Sequence, residues 1–217
     1  MRRRETVYPN DEHFKRHAIG CYGLDAWVCA MTYLKRKRTF VDVGAHIGHF
    51  TYNALDKFKD IVAFEPRPVN FECLQQNINK RVDKMRKKPR SVRLFLAAVG
   101  DVQMHKPRAW FTDPSNGKNS GAWEISLEDN GGQELATDFL TIDALQLKDC
   151  DLIKIDTQGW ESRVLKGAQK TIEDCKPVLI VELVNNNAEN EPLLHEVRGM
   201  GYNLLAIVQK NGIFKAK

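Results

Sequence analysis

An apolar run, an acid, a glycine turn and a helical pattern follow one another between Thr39 and Phe58, and this order constrains the fold more than any other stretch. Thr39–Val43 has the composition of a buried strand and carries Asp42 near its end. Gly44 and Gly48 flank the turn, and Phe50, Ala54 and Phe58 then recur four apart on one helix face. A strand that passes into a helix through glycine is the opening unit of an α/β sheet. Glycine there leaves the backbone open to a ligand, because it has no Cβ. Ile61–Phe64 is a second apolar run, closed by Glu65, 23 residues beyond Asp42. That separation is close to the ~20 residues expected between a glycine turn and a carboxylate that holds a ribose diol. The two units together predict an adenosine-type cofactor.

The alternation continues along the chain. Asn10 is placed to cap a short helix reaching Ala18, and Leu24, Trp27, Val28, Met31 and Leu34 form a helical stripe facing the sheet. A helix running to about Lys57 follows the glycine turn. Pro66 and Pro68 open the next helix, where a missing N–H costs little, and Ser91–Val99 reads as a third strand. Asp151–Ile155 ends in Asp156 and Val178–Val181 ends in Glu182. A hairpin joins Tyr202–Val208 to Gly212–Lys215 through Asn211-Gly212. Residues 1–38 are expected to be a tail and helices packed on the core, and residues 39–217 a single domain. An insertion at about 101–136, with Trp110-Phe111 and Trp123–Leu127 forming a hairpin or meander, is long enough to cover or shape a site. Strands alternating with helices imply a mostly parallel sheet. Ligands bind such sheets at the carboxyl ends of the strands, so Asp42, Glu65, Asp156 and Glu182 should converge on one crevice.

No apolar run approaches the ~18 residues of a membrane span, and the basic N-terminus has no apolar segment behind it. Five scattered cysteines without a Cys-x-x-Cys pair point to reduced thiols and a cytoplasmic setting. The net charge of +5 is clustered at Arg2–Arg4, Lys35–Arg38 and Lys80–Arg93. Such blocks suit either a solvated surface or a partner with a phosphate backbone or anionic glycan.

Three segments carry a more specific resemblance: Val41–Gly48, Phe64-Glu65-Pro66, and Ile153–Glu161 continued by Val164–Ala168. With Thr141–Leu145 and Pro177–Glu182, they make the chain resemble the FkbM family of S-adenosylmethionine-dependent methyltransferases over roughly residues 39–183. The resemblance implies a Rossmann-like class I fold: a mostly parallel seven-stranded sheet with a C-terminal antiparallel hairpin and helices on both faces. It further implies that Asp42, Gly44, Ala45, His46 and Gly48 wrap the methionine end of the cofactor. Glu65 would bind the ribose hydroxyls beside Pro66, Ala97 and Ala98 would lie near the adenine, and Asp156 would face the reacting centre. Two positions depart from the family: His46 stands where an asparagine-like residue is usual, and Gln158-Gly159 where Glu-Gly is usual. Physical chemistry favours the same donor independently. The Gly44-x-x-x-Gly48 spacing lacks a pyrophosphate cradle, and a carboxylate rim attracts a sulfonium and repels a pyrophosphate.

Removing the proton of a poorly acidic hydroxyl calls for a base, and Asp156, Glu182, Glu161 and His49 are the candidates. Glu161 is equally suited to the N-terminus of the following helix, and a histidine at position 49 to packing. Asp156 and Glu182 offer oxygen ligands to Mg²⁺ but no ligand-spaced motif, so no metal is expected. The resemblance favours O-methylation of a hydroxyl on a carbohydrate or small metabolite, with S-adenosylhomocysteine as product. RNA methylation through Lys80–Arg93 and Lys35–Arg38 is the alternative, although a Lys-Asp-Lys-Glu arrangement and an Asn/Asp-Pro-Pro-Tyr/Phe motif are both missing. A non-catalytic cofactor-binding module is a third reading.

Overall fold

The structure is a computed structural model that describes residues 19–115, 119–183 and 187–217. The helix expected between Asn10 and Ala18, and the Arg2–Arg4 block, lie outside the described residues. In chain order the elements begin with α1 (Leu24–Thr32), β1 (Thr39–Val43), α2 (His49–Ala54), β2 (Asp60–Phe64), α3 (Pro68–Asp83), β3 (Ser91–Phe95) and β4 (Ala97–Val99). The insertion supplies β5 (Arg108–Thr112), β6 (Glu124–Ser126) and β7 (Gln133–Ala136), after which β8 (Asp138–Leu140) and a 3₁₀ turn at Asp143–Leu145 return the chain to the core. There follow β9 (Cys150–Ile155), α4 (Glu161–Lys166), α5 (Gln169–Cys175), β10 (Val178–Glu182), α6 (Asn187–Gly199), β11 (Tyr202–Val208) and β12 (Asn211–Ala216).

Seven strands form one sheet in the order β11-β12-β10-β9-β1-β2-β3. Neighbours from β3 to β10 pair in parallel, and β12 alone runs antiparallel, inserted between β10 and β11. The central strands β1 and β2 are buried throughout, which is why they read as unbroken apolar runs. Core side chains cover both faces. Trp27, Phe50, Leu74 and Ile78 of α1, α2 and α3 pack on one, and Val164, Leu165, Ile172 and Val197 of α4, α5 and α6 on the other. Among the described residues no helix is long and apolar enough to cross a membrane.

Four local expectations are corrected. The run Ser91–Val99 is two strands: β3 stays in the main sheet, while β4 turns away at Leu96 to pair in parallel with β8. The helix after the glycine turn ends at Ala54, not near Lys57. α1 packs through Ala26, Trp27 and Ala30, with Trp27 edge-on to Phe40 at 5.4 Å, whereas Leu24 and Val28 of the expected stripe are 41% and 55% exposed. Small alanines beside a tryptophan let the helix approach the sheet more closely than leucine or valine would allow. Finally, the hairpin turns at Gln209-Lys210, both left-handed (φ 48° and 65°), and not at Asn211-Gly212. Asn211 is taken up by pairing with Val208 and Glu182, and a Cβ on Gly212 would press on the Phe214 ring at 2.6 Å. Within the insertion, β5 is the central strand between β6 and β7, so only β5 and β6 make the expected hairpin.

Candidate active site

The carboxyl ends of β1, β2, β9 and β10, together with the insertion and the β11–β12 turn, surround a cavity of about 660 Å³. That size lies within the range of small-molecule sites, roughly 300–1,000 Å³. Two groups of side chains line it. One gathers Glu65, Arg67, Asn70 and His46 under Ser120 and Trp123 of the insertion. The other gathers Lys154, Asp156, Gln158 and Glu182 beside Tyr22.

The loop between β1 and α2 is shaped by left-handed backbone at Gly44 (φ 72°), His46 (φ 51°) and Gly48 (φ 97°). The glycines serve the protein itself. A Cβ on Gly44 would collide with the Asp156 carbonyl, and one on Gly48 would meet Leu74 at 2.7 Å. Gly44 therefore lets the ends of β1 and β9 close on each other, and Gly48 seats α3 under the loop. Position 46 needs a residue that tolerates a left-handed backbone, a property that histidine shares with asparagine. Its backbone N–H donates to Glu65 Oε2 at 2.9 Å, and its ring Nε2 lies 2.6 Å from Ser120 Oγ.

Glu65 is buried, and its carboxylate accepts the backbone N–H groups of His46 and Arg67 (3.1 Å) and the Asn70 amide (3.3 Å). Burial pushes its pKa up, while those donors and the Arg67 charge pull the other way. Asn70 also donates to the Ser120 carbonyl at 3.2 Å. Both Nδ2 contacts are acceptors, which fixes the amide orientation and leaves the buried Asn70 Oδ1 without a donor among the described residues. Arg67 stacks on the Trp123 ring at 3.7 Å, and its buried Nε also has no partner among the described residues. The insertion thus closes this part of the cavity through Ser120 and Trp123. An unmatched acceptor and an unmatched donor are left beside a carboxylate.

Lys154, buried to 3% exposure one residue before the carboxyl end of β9, controls the second group. Its ammonium lies 3.5 Å from Asp42 and 3.3 Å from Asp156, and donates to the Gly44 carbonyl at 2.7 Å. Burial by itself would lower the pKa of this lysine, but Asp156, Asp42 and Glu182 outweigh it and raise the pKa. Asp156 is half-buried, and its loss of solvent favours the neutral form. Lys154, a proton from Glu182 and the Gln158 amide outweigh this and hold it below the usual carboxylate range. Glu182 goes the opposite way. Burial, then the neighbouring Asp156 charge, push it up to about 9, so at neutral pH it carries the proton that it shares with Asp156. Gln158, left-handed at φ 55°, donates from one Nε2 to Asp156 Oδ1 at 2.9 Å and to the Glu182 carboxyl.

Among the residues expected at the site, Gly44, Ala45, His46, His49, Glu65, Pro66, Ala97, Ala98, Asp156 and Glu182 line the cavity. Asp42, Gly48 and Glu161 do not. Asp42 is fully buried beneath the loop, accepting from Thr51 Oγ1 at 2.6 Å and facing Lys154. Glu161 is turned inward to accept the Thr157 N–H (2.9 Å), Thr157 Oγ1 (3.0 Å) and Gly159 N–H (3.2 Å), so it organises the turn after β9. His49 Nδ1 accepts the Gly20 N–H at 3.0 Å, and the ring packs on Tyr22. A neutral imidazole with that lone pair committed carries its proton on Nε2, which leaves no lone pair for a general base. The residues missed from the sequence are Lys154, Arg67, Asn70 and Ser120, while Gln158 was noted there only as a departure from the family. Lys154 left a readable signal, as a charge set between the apolar residues Ile153 and Ile155 near the end of a buried strand.

Comparison with known proteins bears on the family and the fold. No curated protein matches the chain. An FkbM methyltransferase from Methylobacillus flagellatus is similar in structure (TM-score 0.56, 19% identity). The alignment covers 82% of this chain and 43% of that one, so this chain spans under half the length of that relative. A precorrin-6y C5,15-methyltransferase from Geobacter metallireducens shares the fold over 97% of this chain and 92% of its own (TM-score 0.55, 12% identity). So does a putative RNA methyltransferase from Pyrococcus horikoshii, over 98% and 93% (TM-score 0.53, 10% identity). The model of the methyltransferase FkbM domain matches residues 42–204, three quarters of the chain, and the chain belongs to that family.

Proposed function

We propose that the protein is an S-adenosylmethionine-dependent methyltransferase that methylates a hydroxyl of a carbohydrate or small metabolite. The observation that carries this reading is one cavity that gathers Glu65, the unmatched Asn70 Oδ1 and Arg67 Nε, and the acid pair Asp156 and Glu182 bridged by the Gln158 amide. The residues present suit the cofactor. Glu65 retains acceptor capacity for a ribose diol, the unmatched Asn70 Oδ1 wants a donor, and the unmatched Arg67 Nε wants an acceptor. Ala97 and Ala98 offer apolar wall beside them, and the Asp156 charge favours a cation. When bound there, S-adenosylmethionine supplies a methyl group on a positively charged sulfur.

The chain's own groups then orient the acceptor and take its proton. A hydroxyl becomes acidic only as its oxygen acquires a third bond, to the incoming methyl, so a carboxylate ionised at neutral pH suffices as base. Asp156 has that character, and Lys154 and Gln158 fix its position. Glu182, protonated, donates to the Asp156 carboxylate and keeps a second negative charge out of the site. Glu161 and His49 support the walls and take no proton.

RNA as the acceptor loses its motive, because Lys35–Arg38 and the Lys80–Arg93 block, apart from Arg93 within β3, sit at the opposite end of the strands from the cavity. A screen of glycans, hydroxylated metabolites and RNAs with labelled S-adenosylmethionine tests the reading. Asp156→Asn should reduce turnover at least ~100-fold, a typical general-base contribution, and leave S-adenosylhomocysteine affinity within a few-fold. Turnover unchanged in that variant, or label transferred only to RNA, would remove the proposal.

A further inference from the structure

The amino ends of four adjacent parallel strands carry a charge that the cavity does not use. Segments 35–38, 56–60, 80–90 and 148–151 precede or flank the starts of β1, β2, β3 and β9, so the parallel sheet brings them to one end of the molecule. Backbone hydrogen bonds lock them side by side: Thr39 N–H donates to Asp149, Asp60 N–H to Arg38, and Arg90 N–H to Lys59. The four segments hold 14 basic residues and five acids, a net +9 on a chain whose total is +5. The remainder of the chain is therefore net −4, and the cavity opens at the other end of strands about 17 Å long.

The chemistry of the patch narrows the partner. Its arginines are largely committed: Arg38 pairs with Asp149 and Asp151, Arg81 with Asp56, and Arg90 with Asp60. Nine exposed lysines, with Arg36 and Arg86, make no ion pair among the described residues. Free lysines are hydrated point charges on flexible stems, suited to a diffuse anionic surface. Nucleic-acid sites instead combine arginine forks with exposed aromatic rings. Phe58, the one aromatic side chain in these segments, is buried.

We propose that this lysine-rich end docks the protein on an anionic lipid bilayer through charge alone, with the cavity facing away into the aqueous phase. A cluster of four to eight cations is enough for such binding, and the patch exceeds that. The inference does not depend on the reading of the cavity.

Co-sedimentation of the full chain with vesicles tests it, using phosphatidylcholine alone, phosphatidylcholine with phosphatidylserine, and a single-stranded RNA in parallel. The proposal expects binding to the phosphatidylserine vesicles only, reversed by salt. The quadruple variant Lys84→Glu, Arg86→Glu, Lys87→Glu, Lys88→Glu should weaken that binding by about a hundredfold or more. Circular dichroism and S-adenosylhomocysteine titration on the same variant separate loss of charge from loss of fold. No binding to anionic vesicles, equal binding to neutral ones, or binding to RNA in preference to lipid would each overturn the proposal, as would a folded variant that binds like the parent.

Discussion

Lys154 sets the charge balance at the scale of single residues. It sits between two carboxylates with almost no contact with water, and it satisfies the Gly44 carbonyl at the same time. Removing one partner of a buried ion pair strands the others, at a cost of about 3–5 kcal/mol. Lys154→Met should lower the urea midpoint by a corresponding amount, and it should raise the Asp156 pKa because the nearest cation is gone. A midpoint unchanged from the parent would show that Asp42 and Asp156 do not need the ammonium. The positions that the sequence pattern suggested for function divide by the same logic. Glu65 and Asp156 face the cavity, whereas Asp42 and Glu161 spend their oxygens inside the protein, on Thr51 and on the turn after β9. A motif identifies an acid at the end of a strand but not the direction of its carboxylate, because that depends on long-range partners.

At the scale of elements, the alternation of strand and helix was legible because buried parallel strands are continuous apolar runs and each ends in a polar turn. What escaped was geometry fixed by distant packing. Ser91–Val99 has no punctuation in its sequence, yet it divides at Leu96 because Ala97–Val99 finds a second partner in β8. The Asn211-Gly212 pair has the chemistry of a turn, but Gly212 is required under the Phe214 ring. The turn is therefore displaced onto Gln209 and Lys210. Gln209 ties it to Asp25 of α1 at 2.9 Å, and the Lys210 carbonyl accepts the Leu183 N–H. A non-glycine residue held left-handed costs roughly 1–2 kcal/mol. Lys210→Gly should therefore raise the thermal midpoint, by the equivalent of roughly 1 kcal/mol; a lower midpoint would mean that the lysine side chain contributes more than its backbone loses. The role of the insertion was foreseeable from its length alone, but its contacts were not, since Ser120 and Trp123 meet His46, Asn70 and Arg67 only after folding.

For the whole molecule, the acid pair links stability to pH. Glu182 is raised from an ordinary 4.5 to about 9 in the folded state, so the folded protein holds a proton that the unfolded chain releases. Its contribution is therefore fully present below about pH 4.5 and is lost progressively as pH rises through 9. Chemical denaturation from pH 5 to pH 9 should show stability falling in the parent, and falling less in Glu182→Gln, which has no proton to lose. Equal slopes in the two proteins would place the proton elsewhere. The fold also separates two charge regimes along the strands, with acids around the cavity and a surplus of lysines at the far end.

The central claim is that the cavity at the carboxyl ends of the strands holds an adenosine-bearing methyl donor on Glu65. Calorimetric titration with S-adenosylhomocysteine, comparing the parent with Glu65→Ala, tests it most directly. The account predicts one-to-one binding by the parent, at least ~100-fold weaker in the variant because a charge-assisted hydrogen-bond pair is lost, with NAD giving no heat in either protein. Binding of equal strength in the variant, or heat with NAD and none with S-adenosylhomocysteine, would contradict it.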